Sequence, residues 1–308
     1  MTALTATQKI HYTLRVATAF CFIGHGSFGI ITKAVWCNYF AVFGIGTDLA
    51  YKLMPWLGSF DILLGLMVLI LPLRIIPAWL VVWGFITALC RPLSGEHFAE
   101  FIERAGNFGV PFVFLLLSGT LTKKNLLEPI NPDLPASDKT LRSVFLCLKI
   151  IVFLLLTGHG WLNLLEKKSL LSQYASLGFS NPAAVALTVG LFEISAAVSV
   201  LIRPLRSLIF IFFIWKMGTE LLYPHYEFFE WVERGGSYGA LLALWFILDP
   251  MLTRKAEHHT RSHNRNEANT GNPFASLSFS KIDRMKQSAF GVKKIVSAIF
   301  HSTFSIKL

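Results

Sequence analysis

Apolar residues in this chain come in long blocks separated by short polar stretches. Eight blocks stand near residues 15–32, 56–73, 75–91, 107–121, 143–164, 183–202, 205–222 and 237–252. A bilayer core about 30 Å thick is crossed by about 20 mostly apolar residues in a helix. The pattern therefore predicts an all-α polytopic membrane protein with about eight transmembrane helices. Several blocks are short for a full crossing, which predicts kinks or local bilayer thinning. The first block follows Lys9, His11 and Arg15, and no small-x-small cleavage site comes after it, so it reads as a retained span.

The blocks repeat at an offset of about 130–134 residues. Gly24-His25-Gly26 matches Gly158-His159-Gly160, and Lys33 matches Lys167. Residues 58–74 match 190–206 with nine of 17 positions identical, and Asp61 falls opposite Glu193. Trp83, Thr87 and Pro92 match Trp215, Thr219 and Pro224. The run Glu103-Arg104-Ala105-Gly106 matches Glu233-Arg234-Gly235-Gly236. Shared hydrophobicity alone would not reproduce these polar landmarks in one order. Four spans per copy is an even number, so both copies enter and leave on one side. That makes the repeat parallel, about an axis along the membrane normal. The predicted organisation is two parallel four-helix bundles. The first is residues 1–121, a linker follows at 122–142, the second is 143–252, and 253–308 is a basic tail.

Composition agrees with this reading. Hydrophobic residues make up 54% of the chain and charged residues only 15%, against about 25% charged in a soluble domain. A soluble enzyme, a disordered chain and a disulfide scaffold are all disfavoured. The net charge of +10 lies mostly in the tail, where ten Lys and Arg face Glu257, Glu267 and Asp283. Beside a membrane core this tail predicts contact with anionic lipid rather than nucleic acid. Residues 281–301 read as an amphipathic cytoplasmic helix, and 254–274 as a polar linker. Counted by connection, 19 Lys and Arg share the side of the termini and seven the other. A multi-pass cell-membrane protein with both termini cytoplasmic follows.

The repeated landmarks resemble the DoxX-like integral membrane family, whose usual member is a single four-helix unit. Lys33 and Lys167, Asp61 and Glu193, and the Glu-Arg-Gly-Gly entry at 233–236 fit its outline. The resemblance covers residues 15–252 twice over, as a tandem duplication. It implies membrane redox chemistry, since some relatives supply the membrane subunit of thiosulfate–quinone oxidoreduction and others accompany redox-stress proteins. Quinone is the cofactor and a redox protein the partner that the resemblance implies.

Ionisable groups inside apolar spans are costly, and they pair within the bundle or line a cavity. His25 and His159 each sit between two glycines, which admit a neighbouring helix or a flat ligand. Three readings stay open for them. They hydrogen-bond Asp61 and Glu193, they bind a quinone carbonyl or shuttle protons, or one from each copy holds a heme. Heme is the weakest, because no Cys-x-x-Cys-His attachment sequence is present. Glu103, Arg104, Glu233 and Arg234 read as helix locks or as a grip on an anionic head group. Lys216 and Glu220, at i and i+4, replace Gly84 and Ala88 and predict an internal ion pair. That pair either packs the helix in neutralised form or marks a more polar cavity in the second copy, which would make His159→Ala more damaging than His25→Ala. No metal site is predicted. Trp36, Tyr39, Phe40, Tyr51 and Trp56 read as an interfacial aromatic belt.

On these residues a quinone-linked membrane component leads. A small-solute transporter or channel, and a non-catalytic scaffold that recruits a partner through the tail, stay open. Whether the chain is an enzyme is left open too.

Overall fold

The computed structural model describes residues 4–119, 121–222 and 228–249. The expectations for the tail and for His225 fall outside them. The described residues are all-α, with no strand beyond one isolated bridge between Leu73 and Pro129. The first six helices are α1 (Ala6–Ile30), α2 (Trp36–Ala41), α3 (Thr47–Ile70), α4 (Ile75–Leu93), α5 (Phe98–Glu103) and α6 (Ala105–Leu117). The next six are α7 (Asp138–Leu164), α8 (Lys168–Ser176), α9 (Pro182–Ile202), α10 (Arg206–Leu221), α11 (Phe228–Glu233) and α12 (Gly235–Ile247).

Helices α3, α4, α7 and α9 are long and apolar enough to cross a membrane, and α12 is a shorter apolar helix. They mark a membrane protein. Large apolar side chains on their outer faces stand bare, among them Trp56 at 78%, Ile70 at 79% and Ile202 at 75% exposed. Lipid is the solvent that suits such a surface. The sequence predicts about eight crossings; α1, α6, α10 and α12 do not meet the same length and hydropathy, α10 having 16 residues. For α6 and α12 the cause is a break just before the fourth block: Arg104 separates α5 from α6, and Arg234 separates α11 from α12. Thirteen residues of α6 or α12 reach only about 20 Å at 1.5 Å per residue.

The helix order of the first half recurs in the second. The turn after α1 puts Thr32 at φ 54°, and the turn after α7 puts Glu166 at φ 53°. Gly44 and Gly178, again 134 residues apart, both take positive φ at the ends of α2 and α8. The same backbone bonds close both turns, Lys33 N–H to Phe28 and Lys167 N–H to Leu162.

The halves are not side by side. Helix α1 packs on α3 of its own half but also on α11 and α12, and α7 packs on α9 but also on α5 and α6. Reciprocal glycines make this possible. Gly24 lies against the backbone of Glu233, and Gly158 against the backbone of Glu103. Gly106 and Gly236 touch each other. Contacts that map onto themselves when the halves are exchanged define a pseudo-two-fold, and it passes between these two glycines. The core beneath it is dry and apolar, built on Phe22, Leu80, Phe114, Leu148, Leu155 and Leu244.

Several ends are fixed by local chemistry. Thr5 and Gln8 form a capping box on α1, and Asn181 caps α9 ahead of Pro182. Arg15 reaches across to the carbonyls of Val68 and Leu69, at 2.9 and 2.6 Å, and so caps α3 from outside. Residues 125–130 of the predicted linker are docked at the start of α4, where Ile75 N–H meets Leu126 and Ile130 N–H meets Pro72.

Candidate functional site

Each half builds the same triad inside its bundle. His25 Nδ1 lies 2.8 Å from Asp61 Oδ2, and Trp83 Nε1 donates to Asp61 Oδ1 at 2.8 Å. In the second half His159 Nδ1 meets Glu193, and Trp215 Nε1 donates to Glu193 Oε1 at 3.2 Å. Asp61 and Glu193 are fully buried. A buried carboxylate needs such donors, and the carboxylate in turn orients the imidazole. With Nδ1–H donated to Asp61, the neutral ring presents Nε2 as an acceptor. The pairing of each His with a carboxylate of its own half is thus present.

Around this shared triad the halves diverge. A cavity of about 390 Å³ lies against His25, within the range of small-molecule sites. Its walls are largely aromatic: Phe28, Trp36, Phe40 and Trp56, with Trp83 behind. The His25 ring lies 4.7 Å from the Trp36 ring at 33°. The expected interfacial belt is thus partly folded inward, because α2 lays Trp36 and Phe40 over the end of α1 and buries them. Tyr51 is not among the lining residues and stays exposed.

The polar end of this cavity draws on both halves. His25 and Asn107 come from the first, Glu230 and Glu233 from the second. Glu233 is 93% buried, and among the described residues its carboxylate enters no hydrogen bond or ion pair. Arg91 and Arg104 also line the cavity, but their charges are answered elsewhere. Arg91 pairs with Glu96 at 3.0 Å, and Arg104 bridges Glu100 at 2.8 Å and Glu103 at 3.0 Å. Two groups therefore point unmet hydrogen-bonding capacity inward, His25 through Nε2 and Glu233 through its carboxylate.

Of the two readings of Lys216 and Glu220, the structure carries the packed ion pair. Lys216 and Glu220 do lie as an i, i+4 pair, 3.9 Å apart, but both are at least 95% buried and line no described cavity. Lys216 also faces Glu193 at 3.7 Å. Tyr174 donates to Asn163 at 2.6 Å, Asn163 donates to the His159 carbonyl at 3.0 Å, and Gln173 donates to the Thr219 carbonyl at 3.0 Å. Protein side chains fill the space beside His159.

Glu103, Arg104 and Arg234 join the halves. Arg234 donates to Glu103 across 131 residues at 2.6 Å, and its Nε lies 3.8 Å from Glu220. Glu100 takes Arg104 on one oxygen and Lys167 on the other. Burial alone would raise the Glu100 and Glu103 carboxyls. The surrounding cations outweigh it and hold both below the usual carboxylate range, Arg104 acting most on Glu100 and Arg234 most on Glu103. Tyr39, donating to Glu96 at 2.6 Å, is pushed up mainly by burial.

The sequence anticipates only part of this arrangement. Hydrogen bonds from His25 to Asp61 and from His159 to Glu193 are one of its three readings, and the structure brings each pair together. It does not single out Trp36 as a cavity wall, Asn107 as a polar liner, or Asn163 and Tyr174 as fillers. Trp83 and Trp215 carried a signal, since an indole repeated opposite a repeated acid marks a donor to it. Among the described residues no cluster of three His, Cys, Asp or Glu is placed to hold a metal. Comparison with family models, curated proteins and solved structures found no match to this chain.

Proposed function

We propose that this chain is a DoxX-like membrane protein of eight spans, present as two four-helix units in tandem, that binds the head group of a lipid-soluble quinone beside His25. The observation that carries the reading is the mixed character of that cavity. Aromatic walls suit a flat ring and an apolar tail, while His25 Nε2 and Glu233 meet at one end to take hydroxyl protons. Trp36 beside the imidazole offers a face for stacking, worth about 0.5–1.5 kcal/mol beyond area burial.

The chemistry is that of a proton acceptor pair. As a quinol gives up two electrons to a redox partner protein, its two O–H bonds break. One proton passes to His25 Nε2 and the other to the Glu233 carboxylate. Asp61 stabilises the imidazolium, and Trp83 keeps Asp61 aimed. Reduction of the quinone runs the same transfers backwards. In the proposed topology both termini are cytoplasmic and the cavity opens in the outer leaflet, with the basic tail on anionic lipid of the inner one.

The test is equilibrium binding of a short-chain benzoquinol, kept reduced under argon, to the detergent-solubilised protein, read by tryptophan fluorescence. One quinol per chain is expected. His25→Ala is expected to weaken binding at least about tenfold, equal to about 1.4 kcal/mol, and His159→Ala to change it little. No saturable binding, or a loss confined to His159→Ala, would overturn the proposal.

A further inference from the structure

The second half keeps the triad, and the side chains that pack beside it can be named. Where the first half has Gly84 and, on the cavity wall, Ala88, the second half has Lys216 and Glu220. Their side chains lie 2% and 3% exposed and sit between Glu193 and Arg234. Where the first has Gly29 and Phe40, the second has Asn163 and Tyr174, tied to each other and to the His159 backbone. Where Glu233 faces the first cavity unpaired, its counterpart Glu103 is held by Arg104 and Arg234. The His159 ring is accordingly 8% exposed, against 15% for His25. The cleft of about 320 Å³ lined by Asn163 and Asn181 does not include His159.

We infer that the His159 side is a second site of the same ligand class, sealed from within by the Lys216–Glu220 pair, so that the chain takes one ligand where its repeat would offer two. The inference rests on the quinone reading for the ligand, but not for the seal. Burying the pair as a unit is tolerated because each charge answers the other. Removing one alone would leave its partner one ion pair in place of two, whereas removing both opens space and leaves Glu193 to His159 and Arg234 to Glu103.

Two readouts on the full chain test it. The first is modification by diethyl pyrocarbonate, mapped by mass spectrometry. In the wild type His25 is expected to react and His159 to stay protected. In the Lys216→Ala/Glu220→Ala double variant His159 is expected to react at a rate approaching that of His25. Equal reactivity of the two histidines in the wild type overturns the seal without need of any variant. The second is benzoquinol stoichiometry, expected to rise from one to two in the double variant. A stoichiometry that stays at one while His159 becomes reactive overturns the second ligand site. Protection of His159 with no quinol bound to the wild type supports the seal and removes the quinone reading alone.

Discussion

Asp61 shows how much one buried atom decides. Its two oxygens accept from different partners, His25 Nδ1–H and Trp83 Nε1–H. Asp61→Asn keeps the volume but offers one donor and one acceptor. The carbonyl can still take the indole N–H, so the amide must donate to His25 Nδ1. That moves the imidazole proton to Nε2 and removes the acceptor from the cavity. The expected outcome is a melting temperature near that of the wild type with quinol affinity down at least about tenfold. Glycine makes the matching steric point. A Cβ on Gly24 would lie 2.6 Å from the Glu233 Cα and 2.7 Å from the Phe229 carbonyl, while one on Gly218 would meet nothing within 4 Å. Gly24→Ala is expected to cost about 1–3 kcal/mol, and Gly218→Ala to be neutral or slightly stabilising. Thermal melts in detergent separate the two.

Helix α3 ends against a side chain that is distant in sequence. Arg15 satisfies carbonyls that the last turn of any helix leaves unpaired, and its counterpart, Lys149, instead lies over the Phe145 ring. Arg15→Ala is expected to cost about 1.5–3 kcal/mol, the scale of hydrogen bonds from a charged donor. Hydrogen exchange should rise at Leu71 and Leu73, whose amides follow the uncapped turn. Lys149→Ala should leave the equivalent turn after α9 unchanged. The elements were largely legible in the sequence, because long apolar blocks between caps such as Asn181-Pro182 leave little choice but helix. The break between α5 and α6 was not. Arg104 reads as a charge entering a span, and only its bonds to Glu100 and Glu103 show why the helix stops there and starts again.

At the scale of the molecule, ion pairs tie the two halves together around the pseudo-two-fold. Glu100 and Glu103 are ionised below the usual carboxylate range because of Arg104, Arg234 and Lys167. A carboxylate with a lowered folded-state pKa contributes stability above its unfolded value, about 4.3, and loses it as pH falls through the lowered one. The melting temperature is therefore expected to hold from pH 7 to about pH 5 and to fall steeply below about pH 4. Glu103→Gln should flatten that acid limb, as circular dichroism melts across the range would register. The repeat also demands that corresponding connections share one face of the bilayer. Cysteines placed at residues 96 and 230 should both react with an impermeant maleimide from the same side, and opposite accessibility would defeat the parallel arrangement.

The amino-acid sequence by itself determined a helical membrane protein, its internal repeat, and the correspondence of His25 with His159 and of Asp61 with Glu193. These follow from block length, offset and polar landmarks, which are properties of the chain read one residue after another. Which of the two equivalent places is open was decided only by tertiary structure. In sequence Lys216 and Glu220 read either as a packed ion pair or as the polar lining of a cavity. Folded, they are buried 3.9 Å apart where the first half has only Gly84 and Ala88. Glu233 and Glu103 are likewise identical in sequence context, but Arg234 turns to Glu103 and leaves Glu233 facing His25. That choice depends on how α11 and α5 cross the opposite half, and no spacing along the chain encodes it.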